Sequence, residues 1–398
     1  MEKKAVADGA PLSVRAVSTH IEPRTDRRPL LVCLSHLRWN FVFQRPQHLL
    51  TRAARDYRVL YVEEPETIIG DDPGWQLRID KGVTVATPLL PDSLPAVKRN
   101  GVLAGLLTRL LAGEVPAVAW YYTPMALEFS RHLGADVTVY DNMDELSLFA
   151  QADSRIVRLE AELMARAHVV FTGGHSLFEA KRHRHRNIHA VPSSIDVAHF
   201  RRDPAAPAAE PADLAAIPHP RIGFFGVIDE RMDMALVGAL ADLRRDSQFV
   251  MVGPVVKIDP ATRPQRPNIH WLGGRDYARL PAYLHHWDCG FMPFALNDAT
   301  RFISPTKTPE YLAAGLPVVS TPVRDVVNPY AALGLVRIGA TAEEFAAAID
   351  QAITDAANPA WRRAVAARLA TSSWDSTWAA MRGHIAEIAS TEVEYADA

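Results

Sequence analysis

Three hydroxyls, a lysine and a glutamate fall within seven residues at 304–310, at the opening of SPTKTPEYLAAGLPVVSTP. The spacing predicts a polar loop that turns into a helix ending at Gly315, followed by a buried strand. The free N–H groups and positive dipole end of a helix start favour an anion. Ser304, Thr306 and Lys307 add hydroxyls and a cation to that end, which is the chemistry of a phosphate site. Glu310, one turn further on, presents a carboxylate that can accept from two vicinal hydroxyls, such as those of a ribose. An ordinary capping sequence with solvated charges would use the same residue types.

A second concentration of chemistry lies near the start, in HLRWNFVFQRP at 36–46. Here His36, Arg38, Trp39, Gln44 and Arg45 crowd the first loop of a strand, loop and helix unit, which in an open α/β sheet faces the ligand crevice. An aromatic ring with several donors, Trp39, Gln44 and Arg45 among them, suits an acceptor sugar or a lipid-linked phosphate. The alternative is that Trp39 and Phe41 pack on the sheet while the arginines are solvated. Farther on, VTVYDNMDELSLF at 137–149 carries Asp141, Asp144 and Glu145 off the end of a buried strand towards the same crevice. Such acids can bind hydroxyls, although Asp144 and Glu145 also fit the first turn of a helix, so Asp141 is the stronger candidate for chemistry. Gly253, after FVMV, would permit close backbone approach to a ligand, or simply make a turn. The run KRHRHRNIH at 181–189 is a candidate patch for anionic lipid headgroups, against a solvated helix end. Its histidines lack HExxH or Cys/His spacing, so no metal is implied.

These segments sit in a regular alternation. Strand signals at 31–35, 58–63, 83–87, 117–122, 137–141 and 168–172 are separated by helical stretches such as 154–166. After the proline- and alanine-rich stretch 201–219, read as a linker, a second series begins at 221–226, 249–252, 269–272, 289–294 and 317–320, with helices at 276–287 and 341–355. Alternation of this kind predicts two α/β domains of parallel βα units, at 28–200 and 220–370. The last segment, 371–398, holds Trp374 and Trp378 on one face of an amphipathic helix expected to pack across both domains.

Composition narrows the classes. A chain of 398 residues is long enough for two cores. A net charge of −3 gives no global attraction to nucleic acid. Cys33 and Cys289 read as buried free thiols, which suits a reducing cytoplasm. Residues 1–27 read as a loose tail without a signal peptide, and no apolar run is long enough to span a bilayer, so any membrane contact would be peripheral. No G-x-G-x-x-G follows either first strand, which argues against NAD.

The pattern E-x-x-A-x-G-x-P-V-V is met by EYLAAGLPVV from Glu310, and this segment resembles the donor-site helix of GT-B glycosyltransferases, family 4 in particular. NIHAVPSSIDVAHF at 187–200, WLGGRDYARLPAYLHHWDCGFMPF at 271–294 and the closing SSWDSTW are similar to other parts of that family, so the resemblance covers both domains. The first loop resembles a subgroup of teichuronic acid and exopolysaccharide glycosyltransferases. The resemblance implies two Rossmann-like domains facing a cleft, a C-terminal crossover helix, and no metal or other cofactor. It also implies a nucleotide diphosphate sugar donor, UDP- or GDP-linked, a glycan or lipid-linked acceptor, and retention of anomeric configuration. The donor would be held by Gly226, Arg231, Gly253, Ser304, Thr306, Lys307 and Glu310, and the acceptor by Trp39, Gln44, Arg45 and Asp144. Lys307 and Arg231 would stabilise the departing diphosphate, with Asp141 as a further catalytic candidate. His36 stands where an inverting enzyme of this fold places its base. Two departures stand out: Phe302 occupies the place of a second glutamate eight residues before Glu310, and Val227 that of an arginine after Gly226, for which Arg231 would substitute. They keep open a nucleotide-sugar 2-epimerase, or a silent member that binds nucleotide sugar or a partner enzyme.

Overall fold

The computed structural model describes residues 26–203, 205 and 208–396, so nearly all of the segment read as a tail lies outside the described residues. The first domain is built on β1 (Leu30–Leu34), β2 (Arg58–Val62), β3 (Glu66–Ile68), β4 (Gly74–Asp80), β5 (Val83–Pro91), β6 (Val118–Tyr121), β7 (Val137–Asn142), β8 (Val169–Thr172) and β9 (Ile188–Ala190). Their order is β3-β5-β2-β1-β6-β7-β8-β9, with β4 antiparallel to β5 and every other pair parallel. Every residue of β1 is buried, as a central parallel strand covered on both faces requires.

The second domain holds β10 (Arg221–Phe225), β11 (Gln248–Val252), β12 (Ile269–Gly273), β13 (Cys289–Met292), β14 (Val318–Ser320) and β15 (Arg337–Ile338). They are all parallel, in the order β12-β11-β10-β13-β14-β15. Both sheets reverse direction beside their first strand, between β1 and β6 and between β10 and β13. Each therefore opens a crevice at its carboxyl end, where a doubly wound sheet takes its ligand.

Three elements depart from the sequence reading. The stretch 201–219 is no free linker: it carries a short helix, Ala212–Ala215, and buries Leu214 and Ile217 in the core of the second domain. The helix expected over 276–287 is a 3₁₀ turn, Tyr277–Arg279, and one helical turn, Leu280–Leu284, with Pro281 in its first turn. The strands β3 and β4 were not anticipated. At the end of the chain, the helix Trp374–Ala396 returns to the first domain, where Trp378 packs near Trp120 and Trp374, Met381 and Ile385 join the same core. The indole N–H of Trp378 also donates to Asp56 (3.0 Å). Burying side chains of this size contributes about 2–3 kcal/mol each, enough to fasten the closing helix to the first domain.

Candidate functional site

The two crevices meet in a cleft cavity of about 510 Å³. On one wall, β10 ends at Gly226 (φ 127°) and β11 at Gly253 (φ 158°). A Cβ on Gly253 would collide with the carbonyl oxygen of Gly226, and one on Gly226 would lie 2.7 Å from Nζ of Lys307. The two glycines therefore let neighbouring turns touch, and leave room for the Lys307 side chain to run across the end of β10. Its ammonium lies 5.3 Å and 5.9 Å from the ring centres of Phe224 and Phe294.

Lys307 and Glu310 share this wall. Burial, with Arg231 nearby, lowers the lysine to about 8. Burial also pushes the Glu310 carboxyl up to about 8, against the pull of Lys307. Oε2 of Glu310 is buried without a hydrogen-bond partner among the described residues, although the residue lines the cavity. A buried acceptor left open in this way marks a place for a donor from outside the chain. Ser304 and Thr306 line the same cavity, but the helix Lys307–Ala313 has only seven residues and Thr306 makes no side-chain cap. The wall therefore adds the side-chain cations Lys307 and Arg231 to a short helix start. Arg231 is held by Asp229 through Nε (2.9 Å) and Nη2 (2.7 Å), and lies 5.7 Å from the ring of Phe149 in the other domain. Asp144 faces it across the cleft, its pKa raised by burial and opposed by Arg231.

Residues 219–355, which include this whole wall, match the family model described as glycosyl transferases group 1. They form a group 1 glycosyltransferase domain. A Bacillus subtilis protein named as a teichuronic acid biosynthesis glycosyltransferase, TuaH, is 32% identical over 103 residues. That alignment covers 25% of this chain and 26% of the relative, so the chain matches about a quarter of the curated relative's length. Sucrose-phosphate synthase from Thermosynechococcus elongatus superposes on 92% of the chain and 100% of its own, with a TM-score of 0.71 at 13% identity. Anabaena HepE, solved in complex with UDP and glucose, superposes on 90% of the chain and 100% of its own, with a TM-score of 0.64 at 12% identity. At these identities the likeness concerns the fold, which is the two-domain GT-B architecture.

Opposite the glycosyltransferase domain, the structure separates the residues singled out in the first domain. Trp39, Gln44, Arg45 and Asp144 line the cleft. Asp141 does not: it is fully buried, and its carboxylate takes Nε (3.0 and 3.1 Å) and Nη2 (2.9 Å) of Arg45. Arg45 spends its remaining nitrogen on the carbonyl of Val191 (2.8 Å), so catalysis by Asp141 does not fit, and the guanidinium of Arg45 is bonded within the domain while the residue lines the cleft. Trp39, 3% exposed, stacks edge-on against Tyr61 and donates its indole N–H to Asp80 (2.7 Å). It fixes the loop while lining the cavity. His36 is absent from the cavity wall and its pKa is lowered to about 4 by burial and by Lys257, which makes it a weak base. Glu145 pairs with Lys181 (2.6 Å), and Arg184 with Glu160 (2.6 Å), so part of the basic run 181–189 is already neutralised within the domain.

Three residues passed over in the sequence organise the site. Glu63, at the end of β2, accepts from the Trp39 amide (2.7 Å), Arg78 (2.9 Å) and Thr87 (2.7 Å), and so holds the first loop. Asp229 aligns Arg231; its spacing of two residues along one turn was a usable signal. Tyr277 joins the domains by stacking on Phe43 (4.7 Å) and His199 (4.3 Å), a contact that no local pattern announces.

Proposed function

We propose that the protein transfers a sugar from a nucleotide diphosphate sugar, UDP- or GDP-linked, to a hydroxyl of a glycan or lipid-linked acceptor, with retention, in the synthesis of a cell-surface polysaccharide or glycoconjugate. The observation that carries this reading is the open Oε2 of Glu310, buried beside Lys307 at the switch point of the second sheet. A ribose supplies the missing donors, and Lys307 and Arg231 receive the diphosphate. The UDP and glucose bound to HepE, and the UDP-2-fluoro glucose bound to the Escherichia coli trehalose-6-phosphate protein of similar fold, support UDP as the carrier. The likeness to TuaH supports a cell-surface product.

In the reaction the acceptor oxygen attacks the anomeric carbon and the bond from that carbon to the diphosphate oxygen breaks. The diphosphate leaves with the electron pair, and the acceptor's proton passes to the departing phosphate oxygen on the same face, which gives retention. Asp144 orients the acceptor hydroxyl from the facing wall. The position and weak basicity of His36 favour this route over inversion. Among the described residues no helix is long and apolar enough to cross a membrane, so a lipid-linked acceptor is reached peripherally.

Titration with UDP and GDP tests the reading. UDP should bind, and Glu310→Gln, which puts an amide donor where the ribose needs an acceptor, should weaken it by about 10- to 100-fold. Undiminished UDP binding by that variant removes the ribose assignment, and donor epimerisation without acceptor would replace transfer. The response to pH has a definite sign. Burial lowers Lys307 and raises Glu310, both to about 8, so the pair loses positive charge as pH rises through that value. UDP affinity should therefore be full at pH 6–7 and decline by about tenfold or more per unit as pH rises past about 8. Affinity that stays flat to about pH 9.5 contradicts the buried pair.

A further inference from the structure

A second cavity of about 460 Å³ lies behind the first, between the two domains, and Ser304 and Pro305 line both. The donor-side loop is thus a shared wall. Two side chains at least nine-tenths buried leave polar atoms open among the lining residues of this second cavity: Oδ2 of Asp325 and Oγ of Ser194. The other oxygen of Asp325 is occupied, accepting the Ser176 N–H (2.9 Å) across the domain boundary. A cation lines the cavity too. Arg368 lies 5.3 Å from the ring centre of Tyr330 and donates to Thr371 (3.1 Å) and Ser372 (3.2 Å), but pairs with no carboxylate among the described residues.

We propose that this second cavity binds a monosaccharide phosphate, with Arg368 holding the phosphate and Asp325 and Ser194 the sugar hydroxyls. Each group is matched to one part of the ligand. A guanidinium backed by two hydroxyls suits a phosphate, and an open carboxylate oxygen suits a hydroxyl donor rather than a second anion. The volume is within the range of small-molecule sites, about 300–1,000 Å³. Pro192, Pro305, Pro309 and Pro329 supply rigid apolar wall for the C–H face of a sugar ring. The Tyr330 ring is taken by Arg368, which leaves it unavailable as a platform for a nucleobase.

Calorimetric titration of the full chain with glucose 6-phosphate, and separately with glucose and with inorganic phosphate, tests the site. Glucose 6-phosphate should bind at least about tenfold more tightly than either fragment. Arg368→Gln and Asp325→Asn should each weaken it by about tenfold or more, while Lys307→Met leaves it unchanged. Asp325→Asn keeps an oxygen for the Ser176 N–H, so a folded variant remains if Arg368→Gln fails to fold. The proposal is overturned by the absence of binding, by phosphate alone binding as tightly, by indifference to Asp325→Asn, or by loss of binding in Lys307→Met. No donor enters these titrations, so their failure is distinguishable from failure of the UDP titration.

Discussion

Lys307→Met should lower kcat for sugar transfer by roughly 10²–10³, the cost of removing one preorganised charge from a leaving group. The acceptor KM should barely move, because the interaction grows as charge builds on the departing diphosphate. Three cations line this wall; Arg275 is paired with Asp213, and the surroundings of Arg231 and Lys307 decide which of those two matters more. Arg231 is already bonded twice to Asp229 and faces Asp144. Lys307 has Glu310 as its near acid, and burial biases that carboxyl towards its neutral form. The lysine therefore brings the less compensated charge. Methionine is a fair structural control, since the stem of Lys307 lies between Gly226 and the rings of Phe224 and Phe294, where an unbranched apolar chain fits. Rates measured with saturating donor, together with a thermal melt, separate the two effects. Turnover within a few-fold of the wild type in a stable Lys307→Met protein would falsify the electrostatic role.

The ease with which different parts could be read from the sequence has a physical cause. Strands such as β1, β6, β8 and β11 are short apolar runs because helices cover both faces of a parallel sheet, and such runs stand out in any sequence. In contrast, β3 and much of β4 are exposed, with Ile79 78% accessible, and their pairing comes from β5 rather than from their own pattern. The glycosyltransferase wall was legible for a related reason. Ser304, Thr306, Lys307 and Glu310 are close in sequence, and a loop with one helical turn places them together without help from distant residues. The first domain was not legible in the same way. Trp39, Arg45 and Asp141 have the composition of a binding surface, and only tertiary partners such as Glu63, Asp80 and Val191 show them turned to structural use. The partners lie 24, 41 and 146 residues away in sequence, beyond any local pattern.

The buried pair of Arg45 and Asp141 carries the second large effect. Arg45→Met should destabilise the protein by about 3–5 kcal/mol, since it leaves a carboxylate at the centre of the first sheet without its counter-charge. Asp141 sits at the end of β7, next to β6 and β8, and is fully buried, so removing the guanidinium leaves its charge inside the domain. The penalty arises from the orphaned charge and not from the value of the pair itself. Arg45→Met combined with Asp141→Leu should therefore recover much of the loss, and the recovery in urea melts is the diagnostic quantity. Arg45 also ties the start of its helix to the Val191 carbonyl in the segment that leaves the first domain, so some loss should persist in the double variant. A single Arg45→Met protein as stable as the wild type, but with weakened acceptor binding, would make Arg45 an acceptor-binding residue and undo its structural assignment.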